Sequence, residues 1–163
     1  MEKILKLGNK EEEKFLRKKA QKFDFGRYSP EEVRALVSRM RKIMEGTDGI
    51  GLAGNQIGLS ERVFVARWDD KFYAVFNPKL SKPSREKEEI EEGCLSIPGK
   101  YGVVKRPATV LLTGQNASGK EVKIKAWDML ARIFQHEVDH LDGKLYVDRM
   151  SRFQKLQSRE QTE

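Results

Sequence analysis

Between residues 29 and 46 the apolar positions recur at helical spacing. Val33, Leu36, Val37, Met40, Ile43 and Met44 return every three or four residues and so line one face. Ser29 suits a helix cap, Pro30 the first turn, and Glu32 completes a capping box, with Gly46 as a stop. A weaker pattern over residues 11–23, with Phe15, Leu16, Ala20 and Phe23 apolar, predicts a short helix before it. Beyond a glycine-rich stretch over 49–58, the period changes. Residues 62–68 and 72–77 flank Asp69-Asp70 and read as a hairpin. A charged, proline-containing loop over 81–89 precedes predicted strands over 89–95, 103–112 and 120–125, with Asn116-Ala117-Ser118-Gly119 as a turn. A last helix is predicted over 127–141, with Gly143 just beyond it. No internal repeat and no linker divides the chain. The pattern predicts an α+β fold with mostly antiparallel sheets packed around a C-terminal helix, and with N-terminal helices.

Composition narrows the function classes. A chain of 163 residues fits one domain, 1–163, with a real core. Its 32 basic against 25 acidic residues give +7, which favours anionic surroundings such as RNA, anionic lipid or the ribosome. No basic run interleaved with aromatics appears, which argues against sequence-specific nucleic-acid binding. One cysteine excludes an internal disulfide framework and fits a reducing compartment. No apolar run approaches the roughly 20 residues that cross a bilayer, so no membrane partner is expected. The opening Met1-Glu2-Lys3-Ile4-Leu5-Lys6 lacks a secretory apolar region, and Glu11-Glu12-Glu13 is unlike a transit peptide. A cytoplasmic location is expected.

The chemistry concentrates in His136-Glu137-Val138-Asp139-His140. Two histidines four apart on a helix project from one face, so both imidazoles can reach one metal ion, with the adjacent Glu137 as general base. At about 100° per residue the helix divides into three faces. Leu130, Phe134, Val138 and Leu141 form an apolar stripe for the core. Asp128, Arg132, Gln135, Asp139 and Asp142 form a polar stripe for solvent or ion pairs. Met129, Ile133, His136 and His140 form a mixed stripe suited to a pocket with a metal at one end. The chain has no further histidine, so a third ligand is Cys94 or a carboxylate.

Three separated segments, in order, resemble the signature motifs of the peptide deformylase family. Gly49-Ile50-Gly51-Leu52-Ala53-Gly54-Asn55-Gln56 resembles the first, Glu92-Gly93-Cys94-Leu95-Ser96 the second, and Gln135-His136-Glu137-Val138-Asp139-His140 the third, continued by Leu141-Asp142-Gly143. The resemblance covers residues 40–147, the expected catalytic core, with 148–163 as a polar C-terminal tail or helix. It implies a metal-dependent hydrolase that removes the formyl group from the N-terminal methionine of nascent polypeptides and releases formate. It implies one divalent metal, Fe²⁺ as the usual ion with Zn²⁺, Ni²⁺ or Co²⁺ able to substitute, held by Cys94, His136 and His140. Glu137 then handles the proton, and Gln56 with the backbone N–H of Leu95 stabilises the oxyanion. The backbone at Ile50 and Gly51 would pair with an extended peptide. Met129 and Ile133 offer apolar contacts suited to a methionine side chain. Arg106 matches an arginine found there in the family, expected to hold Glu137's neighbourhood by an ion pair.

Departures from the family pattern are Gly54, expected to loosen the turn before Gln56, Tyr101, which stands where many relatives carry an arginine near the side-chain pocket, and an N-terminal segment in which Gly8-Asn9 takes the place of a proline-containing opening. Two rival readings compete. One is an HExxH zinc protease with a downstream glutamate, Glu160, as third ligand. The other is an inactive deformylase-like binding module. Arg149, Arg152, Lys155 and Arg159 make the tail basic, which suggests ribosome contact there.

Overall fold

A computed structural model of the chain describes residues 3–151 and the backbone of residues 157 and 158. Helix α1 (Lys10–Leu16) is shorter than its apolar spacing predicts. Asn9, from the atypical opening segment, caps it by accepting from the Glu11 and Glu12 N–H groups at 3.1 and 3.2 Å. It stops at Leu16 because the backbone beyond is bonded elsewhere. The Ala20 N–H donates to the Leu141 carbonyl, the Gln21 N–H to the Ser60 carbonyl, and the Arg62 N–H to the Gln21 carbonyl, each at 2.8 Å. Ala20 and Phe23 are buried, but from an extended segment and not from a helix face. Helix α2 (Pro30–Gly46) matches its prediction: Ser29 accepts from the Glu32 N–H at 3.2 Å, and Glu32 accepts in return from the Ser29 N–H at 2.7 Å.

The strands are β1 (Gly51–Ala53), β2 (Val63–Trp68), β3 (Lys71–Ser81), β4 (Lys87–Cys94), β5 (Ile97–Pro107), β6 (Thr109–Gln115), β7 (Glu121–Trp127) and β8 (Gln157–Ser158). They form two antiparallel sheets, ordered β1-β2-β3-β6-β7 and β4-β5-β8. The β2–β3 hairpin turns at Asp69 and Asp70, with φ of 50° and 59°, the left-handed pair that a two-residue turn of this twist needs. The stretch over 103–112, predicted as one strand, is two. Pro107, which has no N–H for a ladder, ends β5, and the chain crosses into the other sheet as β6.

Strand β2 shows why the larger sheet has helices on both sides. Val63 and Val65 pack with Met40, Met44, Leu52 and Phe76 on the α2 side, while Phe64 and Ala66 pack with Phe134, Val138 and Leu141 of α3 (Asp128–Leu141) on the other. Alternate residues point to opposite faces, so a strand covered on both reads as a continuous apolar run. The Phe134 ring meets Phe64 and Tyr73 with centroids 5.7 and 5.4 Å apart. A third cluster of Ile97, Val104, Leu145 and Tyr146 joins the smaller sheet to the 3₁₀ turn Tyr146–Arg149. Where a tail or helix is predicted, residues 157 and 158 pair with Tyr101 and Lys100 of β5. Arg152, Lys155, Arg159 and Glu160 lie outside the described residues.

Phe134→Ala is expected to cost about 3–5 kcal/mol, because a fully buried ring leaves a cavity between α3 and the sheet. Urea unfolding should show the lowered midpoint without a change in slope.

Candidate metal centre

Helix α3 meets the end of β4 through its mixed face. A register shift between Gly93, opposite Tyr101, and Cys94, opposite Ile97, breaks the regular ladder at the cysteine. Cys94 Sγ lies 3.2 Å from His140 Nε2, which lies 3.2 Å from His136 Nε2. The three donor atoms all lie within 4.8 Å of one another, the one such group of His, Cys, Asp and Glu ligand atoms among the described residues. Against its burial, the neighbouring imidazoles hold the Cys94 thiol well below its ordinary range. Burial opposes a charged His136, but Cys94 and Glu92 together push that imidazole well above its usual value.

Glu137 is buried against β1. A Cβ added to Gly51 would come within 2.2 Å of Glu137 Oε1, so only glycine admits the carboxylate there. The other oxygen, Oε2, has no hydrogen-bond partner among the described residues. Burial pushes the Glu137 carboxyl up to about 7, although His136 and His140 pull it down. Gln56 sits in the 3₁₀ turn Gly54–Ile57. Its Oε1 accepts from the Ala53 N–H at 2.9 Å, which directs Nε2 to Ser96 Oγ at 3.1 Å and Cys94 Sγ at 3.6 Å. The expected loosening at Gly54 is absent: a Cβ there would meet the Glu61 carbonyl at 3.1 Å and Leu59 at 3.2 Å, so the turn is tightly packed.

These groups open onto a cleft of about 550 Å³. Ile50, Gly51, Met129 and Ile133 line it with Cys94, Leu95, Gln56, His136 and Glu137, while His140 lies behind the wall. Tyr101 also lines it, its ring covering Gly93.

The family model for polypeptide deformylase matches residues 1–156. Peptide deformylase of Treponema pallidum (strain Nichols) is 43% identical over 120 residues, 74% of each chain. That of Fusobacterium nucleatum is 46% identical over 124 residues, 74% of this chain and 70% of that one. The crystal structure of the Thermotoga maritima enzyme is similar with a TM-score of 0.84 at 36% identity, covering 93% of this chain and 98% of that one. The chain belongs to the peptide deformylase family. Its reaction is the family's, hydrolytic removal of the N-formyl group from nascent polypeptides.

In this deformylase the polar face of α3 does not meet solvent along its length. Arg132, Gln135 and Asp139 are buried. Glu92 of β4 accepts from Arg106 Nε (2.6 Å) and Nη2 (3.1 Å), Arg132 Nη1 (2.6 Å) and His136 Nδ1 (2.9 Å). Arg106, expected to hold the neighbourhood of Glu137 by an ion pair, does so through Glu92 and through Asp139, to which its Nη1 donates at 2.8 Å. Residues two apart on a helix lie about 200° apart, so Asp139 faces β5 while Glu137 faces β1. The role of Glu92 beyond its motif escapes the sequence reading, although a signal existed. Strand alternation puts residues 92 and 94 on one face, a carboxylate beside the candidate ligand.

The pH dependence follows from Glu137. A carboxyl raised above its unfolded value destabilises the fold once pH exceeds that unfolded value, and fully so above about 7. Metal-free Glu137→Gln should therefore be more stable than the metal-free parent at pH 8, by up to about 3 kcal/mol, with the difference vanishing near pH 4. Paired urea melts across that range measure it.

Proposed function

We propose that one divalent metal ion, held by Cys94, His136 and His140, is the cofactor of this deformylase, with Glu137, Gln56 and the Leu95 N–H acting on the formyl group beside it. The observation that carries this reading is the convergence of one sulfur and two imidazole nitrogens within 4.8 Å at the wall of the cleft. A thiolate sulfur and two imidazole nitrogens this close together are a donor set that would hold one divalent ion. Glu137, which lines the cleft and whose Oε2 has no partner among the described residues, adds a proton acceptor. A bound divalent ion supplies Lewis acidity, polarising a carbonyl and lowering the pKa of water to about 7. The family resemblance favours Fe²⁺, while Zn²⁺, Ni²⁺ and Co²⁺ accept the same donors.

The remaining work falls to the chain. A formamide is a poor electrophile, and its tetrahedral intermediate carries an oxyanion. The Gln56 amide and the Leu95 N–H, aimed at that oxygen, contribute roughly 3 kcal/mol each. Glu137 accepts a proton from the attacking water and returns it to the departing amine. Strand β1 is an edge strand. The Ile50 carbonyl already accepts from the Arg67 N–H at 2.9 Å, and ladder alternation turns the next residue, Gly51, outward to an extended substrate. Met129 and Ile133 receive the methionine side chain. The reading includes a cytoplasmic location. Ribosome contact through the C-terminal segment would rest on Arg152, Lys155 and Arg159, since Arg149 is engaged by Asp139.

Formate release from a formyl-methionyl peptide, abolished by a chelator and restored by metal, is the expected result. Glu137→Ala should keep its metal and lose nearly all activity, and metal content and formate assayed on the same sample separate the two. Cys94→Ala should lose the metal; unchanged metal content would favour the protease reading. Gln56→Ala should lower kcat about 10²–10³-fold. Metal analysis after oxygen-free purification identifies the native ion.

A further inference from the structure

Away from the cleft, the buried charges around the candidate metal centre are joined, among the described residues, by one half-exposed arginine. His136 and His140 converge through Nε2, so the His136 proton belongs on Nδ1, which faces Glu92. Glu92 is gripped by Arg106, and Arg106 by Asp139. Glu92, Arg106, Arg132 and Asp139 are all buried. The outer end of this chain is Arg149, on the 3₁₀ turn Tyr146–Arg149, whose side chain is 43% exposed. It donates through Nη2 to Asp139 Oδ1 (2.7 Å) and through Nε to Oδ2 (3.1 Å), a two-pronged grip on the carboxylate. No other partner of Oδ1 is found among the described residues. Arg149 does not line the cleft.

We infer that Arg149 is a positioning residue for the metal centre. By holding Asp139 it fixes Arg106, hence Glu92, hence the tautomer and ring orientation of His136. Asp139 also immediately precedes His140 and lies three residues after His136, so its grip bears on the α3 turn that carries both imidazoles. Without Arg149, one oxygen of a buried carboxylate loses its donor and Arg106 is drawn from Glu92 toward Asp139. The ion then meets a misaligned imidazole, although no ligand has been removed. Partners of ligating residues typically carry about 10–100-fold in metal affinity. The inference rests on the proposed metal site.

The test uses the Co²⁺-loaded enzyme, following its visible absorption spectrum and the rate at which Co²⁺ passes to excess chelator. Arg149→Ala should release Co²⁺ about tenfold faster or more, with an altered spectrum, a lower kcat and an unchanged KM. Arg149→Lys, which keeps the charge without the two-pronged geometry, should fall between and serves if the alanine variant does not fold. Arg17→Ala is the control, because Arg17 anchors the same turn through Asp148 without touching Asp139. It should leave release and spectrum as in the parent. Parental release and spectrum in both Arg149 variants would overturn the inference, whatever their melting temperatures. So would equal acceleration by Arg17→Ala, since loosening the turn would then suffice. A parent that retains no Co²⁺ would sink the metal reading itself, and the inference with it.

Discussion

A carboxylate shut away from water must be matched by donors, and Glu92 receives them from β5 and α3 together. Arg106 reaches it from the strand, Arg132 and His136 from the helix. Against its burial, hydrogen bonds from His136 and Arg106 hold Glu92 well below the carboxylate range, so it stays anionic and only accepts. That choice fixes a proton on His136 Nδ1 and leaves Nε2 turned to Cys94 and His140. Breaking one side of a buried ion pair typically costs about 3–5 kcal/mol, because the other charge remains without compensation. The arrangement of Cys94, His136 and His140 is therefore maintained by residues outside that trio.

Helix α3 distributes these duties by its pitch. Phe134, Val138 and Leu141 anchor it in the larger sheet, and the histidines meet β4 on another face. Glu137 presses on Gly51 of β1, while Asp139 turns the opposite way toward Arg106 and Arg149. One helix thus carries the proposed base, the proposed ligands and a buried carboxylate without crowding them together. The apolar anchoring allows this, since it leaves two faces free for polar work.

Much of this was readable along the chain. The capping box at Ser29, the Asp69-Asp70 hairpin and the three faces of α3 follow from local rules of spacing and turn chemistry, which need no knowledge of distant partners. The convergence of Cys94 with His136 and His140 was legible only through motif resemblance, since spacing alone left the third ligand open between Cys94 and a carboxylate. Less readable were features set by long-range partners. Residues 17–23 keep an apolar pattern that suits a helix, yet the Ala20 and Gln21 N–H groups go to the Leu141 and Ser60 carbonyls.

What the sequence determined by itself is the local periodicity and the caps, because each depends on residues within a turn or two. What only the tertiary structure decided is which charges pair. A polar stripe of Arg132, Gln135 and Asp139 looks the same in one dimension whether it faces water or a second sheet. Arg106 met Glu92 and Asp139, not Glu137, because helix rotation and strand register together set the direction of each side chain. Those two variables are fixed only when β4, β5 and α3 pack.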